Sequence, residues 1–188
     1  MTAADRAKWL RFLVLVLGGG TIYKLSSLKD AFYVPMQQDM GLSHTQIGTL
    51  LSVNALVATA LFVVGGVLAD RFDPRKMIPA GLIGAGLLGL YMATFPGYTQ
   101  MLLIFALLAV CADCLFWPAL LKAIRNLGND DEQGRMFGFL EGGRGVIDTL
   151  VAFSALGIFV AVGSGAAGLK AAIIFYSAMD IAAGIVTL

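Results

Sequence analysis

Three charged side chains in one apolar stretch offer the clearest chemistry in this sequence. Glu141, Arg144 and Asp148 are spaced three and four residues apart, and on a helix this spacing confines them to an arc of about 60°. An ionised group at the centre of a bilayer costs about 2.5 to 3.5 kcal/mol, so such groups usually face a bundle interior or a wet cavity. The stripe therefore predicts either a cavity that binds anions and carries protons, or a structural ladder of ion pairs.

A second polar face lies on the first apolar stretch. Tyr23, Lys24, Ser27 and Asp30 fall within an arc of roughly 120° if this stretch is helical. Lys24 lies near the middle of the stretch, where an anionic substrate or a partner carboxylate would stabilise it. Lys29 points elsewhere, and snorkelling to the membrane interface explains it without a function.

Asp113 is the natural carboxylate partner for Lys24. It lies in the middle of another apolar stretch, one turn before Trp117, and Pro118 follows directly. A proline at this point breaks the helix locally and re-aims the groups around it. Burial favours the neutral form of a carboxyl group, which suits a proton carrier. Asp113 is therefore either a proton carrier or the salt-bridge partner of Lys24, whereas for Asp180 we expect a structural hydrogen bond.

The sequence offers no pairing of a nucleophile with a base and no cluster with metal-ligand spacing. The two cysteines, Cys111 and Cys114, lie inside an apolar stretch, which is not the context of a disulfide framework or a reactive thiol pair. We therefore expect a protein that is not an enzyme, with no catalytic residues, no metal and no cofactor.

Composition identifies the elements that must position these groups. Of 188 residues, 59% are hydrophobic and only 13% are charged, against roughly 25% charged in soluble domains, so the sequence predicts an all-α membrane protein. Because a span needs about 20 mostly apolar residues, we expect one bundle over residues 1–188 with six transmembrane helices. Their predicted ranges are 8–34, 45–69, 77–95, 98–122, 134–161 and 170–188, separated by Pro35, a charged loop at 70–76, Pro96, residues 125–133 and the glycines from 163.

Small and polar residues indicate how these helices pack. Gly81, Ala85 and Gly89 recur at four-residue steps, as do Gly138 and Gly142, and small residues at this spacing are typical of helix contacts in membranes. Asn54 is expected to form a hydrogen bond between helices.

The distribution of basic residues predicts the orientation. Nine of the 13 lysines and arginines lie on one side of the predicted bundle, in the N-terminus, the second connection and the fourth connection. One lies on the opposite side. By the positive-inside rule both termini are cytoplasmic. The nine are Arg6, Lys8, Arg11, Arg71, Arg75, Lys76, Lys122, Arg125 and Arg135. The net charge of +1 gives no reason to expect a nucleic-acid partner.

The second connection resembles a family signature. Gly66, Asp70, Arg71, Arg75 and Lys76 match the pattern G-x-x-x-D-R-x-G-R-[KR] between helices 2 and 3 of the major facilitator superfamily of secondary transporters, with Asp73 and Pro74 in place of its glycine and following arginine. The resemblance implies a cytoplasmic gate latch. Small residues such as Gly66 let helices approach closely, and Asp70 can accept hydrogen bonds from a helix N-terminus or an arginine.

A second segment agrees with this family. The stretch EQGRMFG, from Glu132 to Gly138, resembles the element that opens helix 5, in which the arginine partners the loop aspartate; this implies a pair of Arg135 with Asp70. The stretches DPRKMIPAGL and FWPALLK look most like the branch that handles organic anions and phosphorylated metabolites.

Members of this family have two six-helix halves, and the resemblance covers only the first. We expect this chain to be the first half of a longer transporter. The alternatives are a half-size protein that pairs with another copy, and a bundle used for another purpose.

The resemblance implies a transporter that moves a small polar or anionic metabolite by alternating access, coupled to an ion or proton, in the lipid bilayer of the bacterial inner membrane. The expected substrate contacts are Tyr23, Lys24, Ser27, Asp30, Asp113, Trp117 and Arg144. The expected proton carriers are Asp113, Glu141 and Asp148, and the expected gating residues are Gly66, Asp70, Arg71, Arg75 and Arg135. The alternative is a non-transporting scaffold bundle whose buried charges bind a partner helix.

Overall fold

The computed structural model describes residues 3–128 and 132–188, and the regular structure of these residues is entirely helical. The described residues form eight α-helices and one π-helical segment. These are α1 (Ala3–Thr21), α2 (Lys29–Gln38), α3 (His44–Arg71), α4 (Pro74–Met92), α5 (Tyr98–Ala109), the π segment (Val110–Phe116), α6 (Trp117–Leu127), α7 (Gln133–Val162) and α8 (Ala166–Val186).

Four helices of the described residues are long and apolar enough to cross a membrane. They are α3, α7, α8 and the continuous helix Tyr98–Leu127, in which the π segment connects α5 to α6. The first and third predicted spans are not among them. The first span is broken in the structure, and α4 begins with the charged Arg75 and Lys76, which leave less than a full span of apolar chain.

The first predicted span is not one helix. α1 ends at Thr21, residues 22–28 follow as turns, and α2 begins at Lys29. Three glycines precede the break and draw α1 against its neighbours: a Cβ on Gly20 would lie 2.6 Å from the side chain of Ile147 on α7. The close contact and the break together set the polar residues of this segment against α7.

Pro35 does not end the first span as the sequence predicted. α2 continues through it to Gln38, and the chain bends instead at Phe32, whose dihedral angles (φ −126°, ψ 32°) are not helical. A proline ring blocks the regular helix one turn before itself, so the bend precedes the proline.

The other predicted boundaries differ by a few residues. The predicted charged loop is reduced to Phe72 and Asp73, because α3 extends to Arg71 and α4 begins at Pro74. Asp73 caps α4 by accepting a hydrogen bond from the backbone N–H of Arg75 (2.9 Å), and a proline in the first helical position completes this start signal. Of the predicted fourth connection, residues 129–131 lie outside the described residues.

The π segment interrupts the long helix just before Pro118. A proline cannot donate to the ladder and its ring crowds the carbonyl one turn earlier, and the wider π turn relieves this conflict. Glycines on both flanking helices accommodate the extra width: a Cβ on Gly65 of α3 would lie 2.8 Å from the carbonyl oxygen of Cys114, and one on Gly81 of α4 would lie 2.7 Å from that of Cys111.

Close contacts of small residues also join α4 to α8, which pack extensively. A Cβ on Gly89 would overlap the hydroxyl of Ser177, so this part of the predicted small-residue seam is confirmed. Asn54 forms the expected hydrogen bond between helices, donating to the carbonyl oxygen of Phe105 (2.8 Å). Gly138 and Gly142 instead face open space, so they form no seam within the described residues.

Helices α3 and α7 contribute little to the core. Large apolar side chains on both are more than half exposed, among them Val63 on α3 and Phe153 on α7. In a membrane protein such faces meet lipid or another protein, and α3 and α7 therefore border the bundle.

Candidate functional site

A groove opens where the broken first helix meets α7. It encloses about 500 Å³, and its polar lining comes from both elements: Tyr23, Ser27, Glu141, Arg144, Gly145 and Asp148. The charged stripe of α7 thus lines this groove, facing the break. Two features of the sequence produce this arrangement: the helical spacing of the stripe, and the glycines that bring α1 against α7.

Lys24 forms an ion pair with Asp148 of α7. The distance from Nζ to Oδ1 is 2.5 Å, and the lysine side chain is 10% exposed while the aspartate is half exposed. A buried ammonium group without a partner is costly, so this contact is what allows Lys24 to lie inside the bundle. The prediction that Asp113 is the ion-pair partner of Lys24 is therefore wrong in this conformation.

Arg144 lies at the centre of the groove. Its guanidinium donates to Glu141 Oε2 (2.7 Å) and lies 5.1 Å from the ring centre of Trp117, a cation–π distance. Its Nε is buried and has no hydrogen-bond partner among the described residues. The arginine therefore keeps one buried donor free although it is paired on one side.

Asp113 is held by a tyrosine rather than by a lysine. The hydroxyl of Tyr23 donates to Asp113 Oδ1 at 2.9 Å, and the ring of Tyr23 meets the ring of Trp117 edge-on, with centroids 6.2 Å apart. Tyr23 and Trp117 thus connect Asp113, on the π segment, to the arginine of α7.

Asp30 lies outside this cluster. Its side chain is 63% exposed and pairs with Lys29 (2.5 Å) near the start of α2. The break in the first helix places Asp30 beyond the groove lining, so the predicted common face of Tyr23, Lys24, Ser27 and Asp30 is not kept.

The gating signature has a different close-packed glycine from the one predicted. A Cβ on Gly66 would have no neighbour within 4 Å, whereas Gly65 packs against the backbone of the π segment. The expectation that Gly66 brings two helices of this bundle together was wrong, and Gly65 has that role.

The ends of α3 and α6 are joined by Lys122. Its Nζ donates to the carbonyl oxygens of Ala69 (2.5 Å) and Asp70 (3.3 Å), which are among the free carbonyls at the end of α3. A lysine at a helix C-terminus also interacts favourably with the helix dipole. The position of Lys122 at the predicted end of a span was a sequence signal for this role.

Asp70 and Arg135 do not form an ion pair within the described part of the chain. Both are exposed, and the guanidinium of Arg135 instead lies 5.3 Å from the ring centre of Phe139, one turn along α7. Arg71 and Arg75 are also exposed, on either side of the two-residue connection.

The chemistry of this groove is that of reversible binding. Arg144, Glu141 and Asp148 line it together with Tyr23 and Ser27. Lys24, Asp113 and Trp117 contact these lining residues. Among residues 3–128 and 132–188, no three metal-ligating side chains are grouped so that they could hold a metal ion. An all-helical membrane protein with a charged groove inside its bundle is the class that fold and site define.

Comparison with known proteins identifies the family. The family model of the Major Facilitator Superfamily matches residues 26–188. The inner membrane protein YihN of Escherichia coli (strain K12) is 51% identical over 96% of this chain and 43% of its own length. The inner membrane protein YqcE of the same organism is 36% identical over 95% of this chain and 42% of its own. A probable L-galactonate transporter from that strain is 28% identical over 86% and 40%.

The chain belongs to the major facilitator superfamily. It spans less than half the length of these curated relatives. No solved structure matches it significantly.

Proposed function

We propose that this chain forms the N-terminal six-helix half of a secondary active transporter that moves a small anionic or polar metabolite by alternating access. Membership of a transporter superfamily favours this over an enzyme. The observation that carries the proposal is the groove between the broken first helix and α7, which Arg144 lines together with Glu141 and Asp148. Lys24 is paired with the same Asp148. Charges at this depth are tolerated when they surround an aqueous path.

The proposed half contains six membrane crossings. α1 and α2 together form the first, and α4 forms the third beside the four long apolar helices. Six crossings return the chain to its starting side, and the basic residues place both ends in the cytoplasm. Two relatives are named as inner membrane proteins, and we assign this chain to the inner membrane of a bacterium.

An anionic substrate fits the free donor of the groove. The buried Nε of Arg144 lacks a partner, and guanidinium groups bind carboxylates and phosphates in a forked geometry. One relative is named for a sugar acid, L-galactonate. The ring of Trp117 and the hydroxyls of Tyr23 and Ser27 would contact the uncharged part of such a metabolite.

The ion pairs of the groove couple this anion to a proton. Lys24 is paired with Asp148 and Arg144 with Glu141, so an anion that starts at the free Nε of Arg144 has to displace a carboxylate to bind the paired part of either cation. A proton that neutralises Asp148 or Glu141 frees the cation for the substrate. Proton and anion would then bind together, and Asp113 is a third proton carrier on the opposite wall.

The second half of the transporter closes the site. A six-helix bundle lines only one side of a central cavity, and the sparsely buried faces of α3 and α7 are the surfaces on which the other half would pack. At the cytoplasmic end, Asp70, Arg71, Arg75 and Arg135 are exposed and available to this partner. Lys122 holds the ends of α3 and α6 together as one unit when the halves rock.

Uptake of anionic probes by cells that express the full-length gene product tests this function. We expect accumulation of labelled galactonate or glycerol 3-phosphate, and none of neutral galactose. Arg144→Ala should reduce uptake at least about tenfold, since losing one charge-assisted interaction costs about 1.5 to 3 kcal/mol. The matched control is Arg11→Ala, an exposed arginine on α1.

The abundance of each variant in the membrane is measured in parallel. Undiminished uptake by Arg144→Ala would remove Arg144 from the site. If neither anion is taken up, and neither raises the thermal stability of the purified protein, an anionic substrate of this type is excluded. A stable stoichiometric complex with another membrane protein would then support the scaffold alternative.

A further inference from the structure

Asp180 is the most unusual charged residue of the bundle outside the groove. It lies in the middle of α8 and is completely buried (0% exposed). Both oxygens of its carboxyl group lack a hydrogen-bond partner among the described residues. The structural hydrogen bond expected from the sequence is therefore absent in this geometry.

The polar groups near Asp180 are uncharged. The hydroxyl of Thr21 on α1 is a neighbour of the carboxyl group. The hydrogen bond that this hydroxyl donates goes to the carbonyl oxygen of Gly18 (3.3 Å). The thiol of Cys111, on the π segment, lies within electrostatic range of the carboxyl group. The hydroxyl of Ser177, one turn away on α8, donates to the carbonyl oxygen of Ile173 (2.8 Å).

The charged residues of the remaining elements are turned elsewhere. Lys24, at the break after α1, is paired with Asp148 of α7. Asp148 and Asp30, from α7 and α2, lie within electrostatic range of Tyr176, which is one turn before Asp180 on α8. The neighbouring face of α4 consists of glycines and aliphatic side chains.

The packing around Asp180 leaves little room for water. A Cβ on Gly86 of α4 would lie 2.5 Å from the side chain of Ile181, and one on Gly184 would lie 2.7 Å from the side chain of Ile83. These contacts lie directly after Asp180 along α8, and the contact of Gly89 with Ser177 lies one turn before it, so the two helices approach at backbone distance. An ionised carboxylate enclosed in this way, without water or a cation, would cost far more than the few kcal/mol by which proteins are stable.

We propose that Asp180 is a proton-binding site in the seam between α4 and α8, separate from the groove, and that it carries its proton in this conformation. Ionisation of Asp180 requires α8 to move away from α4 so that water enters, and uptake of the proton allows the seam to close. Proton binding and the packing of α8 on α4 are thus linked. This inference does not depend on the transport role of the groove.

The site is suited to a proton rather than to a metal cation. Hard cations take about six or more oxygen ligands, whereas among the described residues no three metal-ligating side chains are grouped at Asp180. A proton needs only the carboxyl group itself. A protonated carboxyl group also resembles its neutral isostere, asparagine, which makes the proposal testable by substitution.

Infrared spectroscopy of the full chain in detergent tests the protonation state directly. At neutral pH we expect the wild type to show the carbonyl band of a protonated carboxylic acid, and we expect Asp180→Asn to lose it. Asp148→Asn is the matched control: Asp148 is half exposed and paired with Lys24, so the band should remain. Absence of the band in the wild type, or its persistence in Asp180→Asn, would overturn the proposal, as would its loss in Asp148→Asn.

Thermal unfolding at a series of pH values tests the linkage. Folding takes up a proton at Asp180, because the unfolded chain exposes this group to water and ionises it, so the stability of the wild type should fall as pH rises. Asp180→Asn should remove this component of the slope and keep the stability measured at low pH. An unchanged slope in Asp180→Asn would contradict the linkage. If Asp180→Asn does not accumulate in the membrane, Asp180→Ser, which is smaller, replaces it in both measurements.

Discussion

At the scale of single residues, the two partners of the ion pair between Lys24 and Asp148 differ in their exposure to solvent. The lysine side chain is 10% exposed and the aspartate side chain is 50% exposed. A buried charge that loses its partner bears the full cost of its desolvation, whereas a half-exposed one regains water. The two residues should therefore respond differently to removal of the other.

Asp148→Asn should lower the free energy of unfolding by about 1 to 3 kcal/mol, because it leaves the ammonium group of Lys24 buried without a counter-charge. Lys24→Met should cost less, because Asp148 can be solvated. The double variant should recover part of the loss of Asp148→Asn. Chemical unfolding of the four proteins in mixed micelles measures this cycle, and additive losses would show that the pair does not interact.

The stripe on α7 was predictable from spacing alone, since Glu141, Arg144 and Asp148 share a face on any regular helix. The partners of Lys24 and Asp113 were not. Their pairing depends on where the first helix breaks and on the π turn before Pro118, and both change the direction of side chains by an amount that the apolar pattern does not reveal. The spacing therefore indicated the pairing of Arg144 with Glu141, but not the partners of Lys24 and Asp113.

At the scale of helices, glycines decide which segments approach each other. Gly65 and Gly66 are adjacent on α3, yet a Cβ on Gly65 would lie 2.8 Å from the carbonyl oxygen of Cys114 and one on Gly66 would meet no atom within 4 Å. Backbone atoms cannot move aside as the end of a flexible side chain can. The π segment consequently depends on Gly65.

Gly65→Ala should destabilise the bundle by about 1 to 3 kcal/mol, the usual cost of overpacking. Gly66→Ala should be neutral or add up to about 1 kcal/mol, because alanine is the better helix former. Thermal unfolding of the two purified variants in the same detergent compares them. Equal losses of stability would mean that α3 does not pack on the π segment through Gly65.

Helix ends were largely predictable, and interruptions within apolar stretches were not. Asp73 followed by Pro74 is a start signal that the structure uses for α4, and Tyr98 after Gly97 begins α5 as expected. The break after Thr21 lies in a stretch that contains no proline before Pro35. Only the three glycines before it and the polar residues within it distinguish this stretch, and neither feature by itself determines where a helix breaks.

At the scale of the whole molecule, the bundle has two distinct regions. α4 and α8 are sealed together by small residues beside Asp180, whereas the turn segment after α1 and helix α7 line an open charged groove. The sealed region provides a rigid wall, and the groove provides a polar surface that one bundle alone leaves open. This division suits half of a transporter whose partner completes the cavity.

The central claim is that the charges of the groove surround water within the membrane. Single cysteines at Ser27 and Gly145 line the groove, and one at Ala178 lies on the exposed face of α8. All three are placed in a background in which Cys111 and Cys114, the two native cysteines, are replaced by alanine. Membranes that contain the full-length gene product are then treated with a charged, water-soluble methanethiosulfonate reagent. Rapid labelling of the cysteines at 27 and 145, with none at 178, is the result we predict; equal resistance at all three positions would contradict the account.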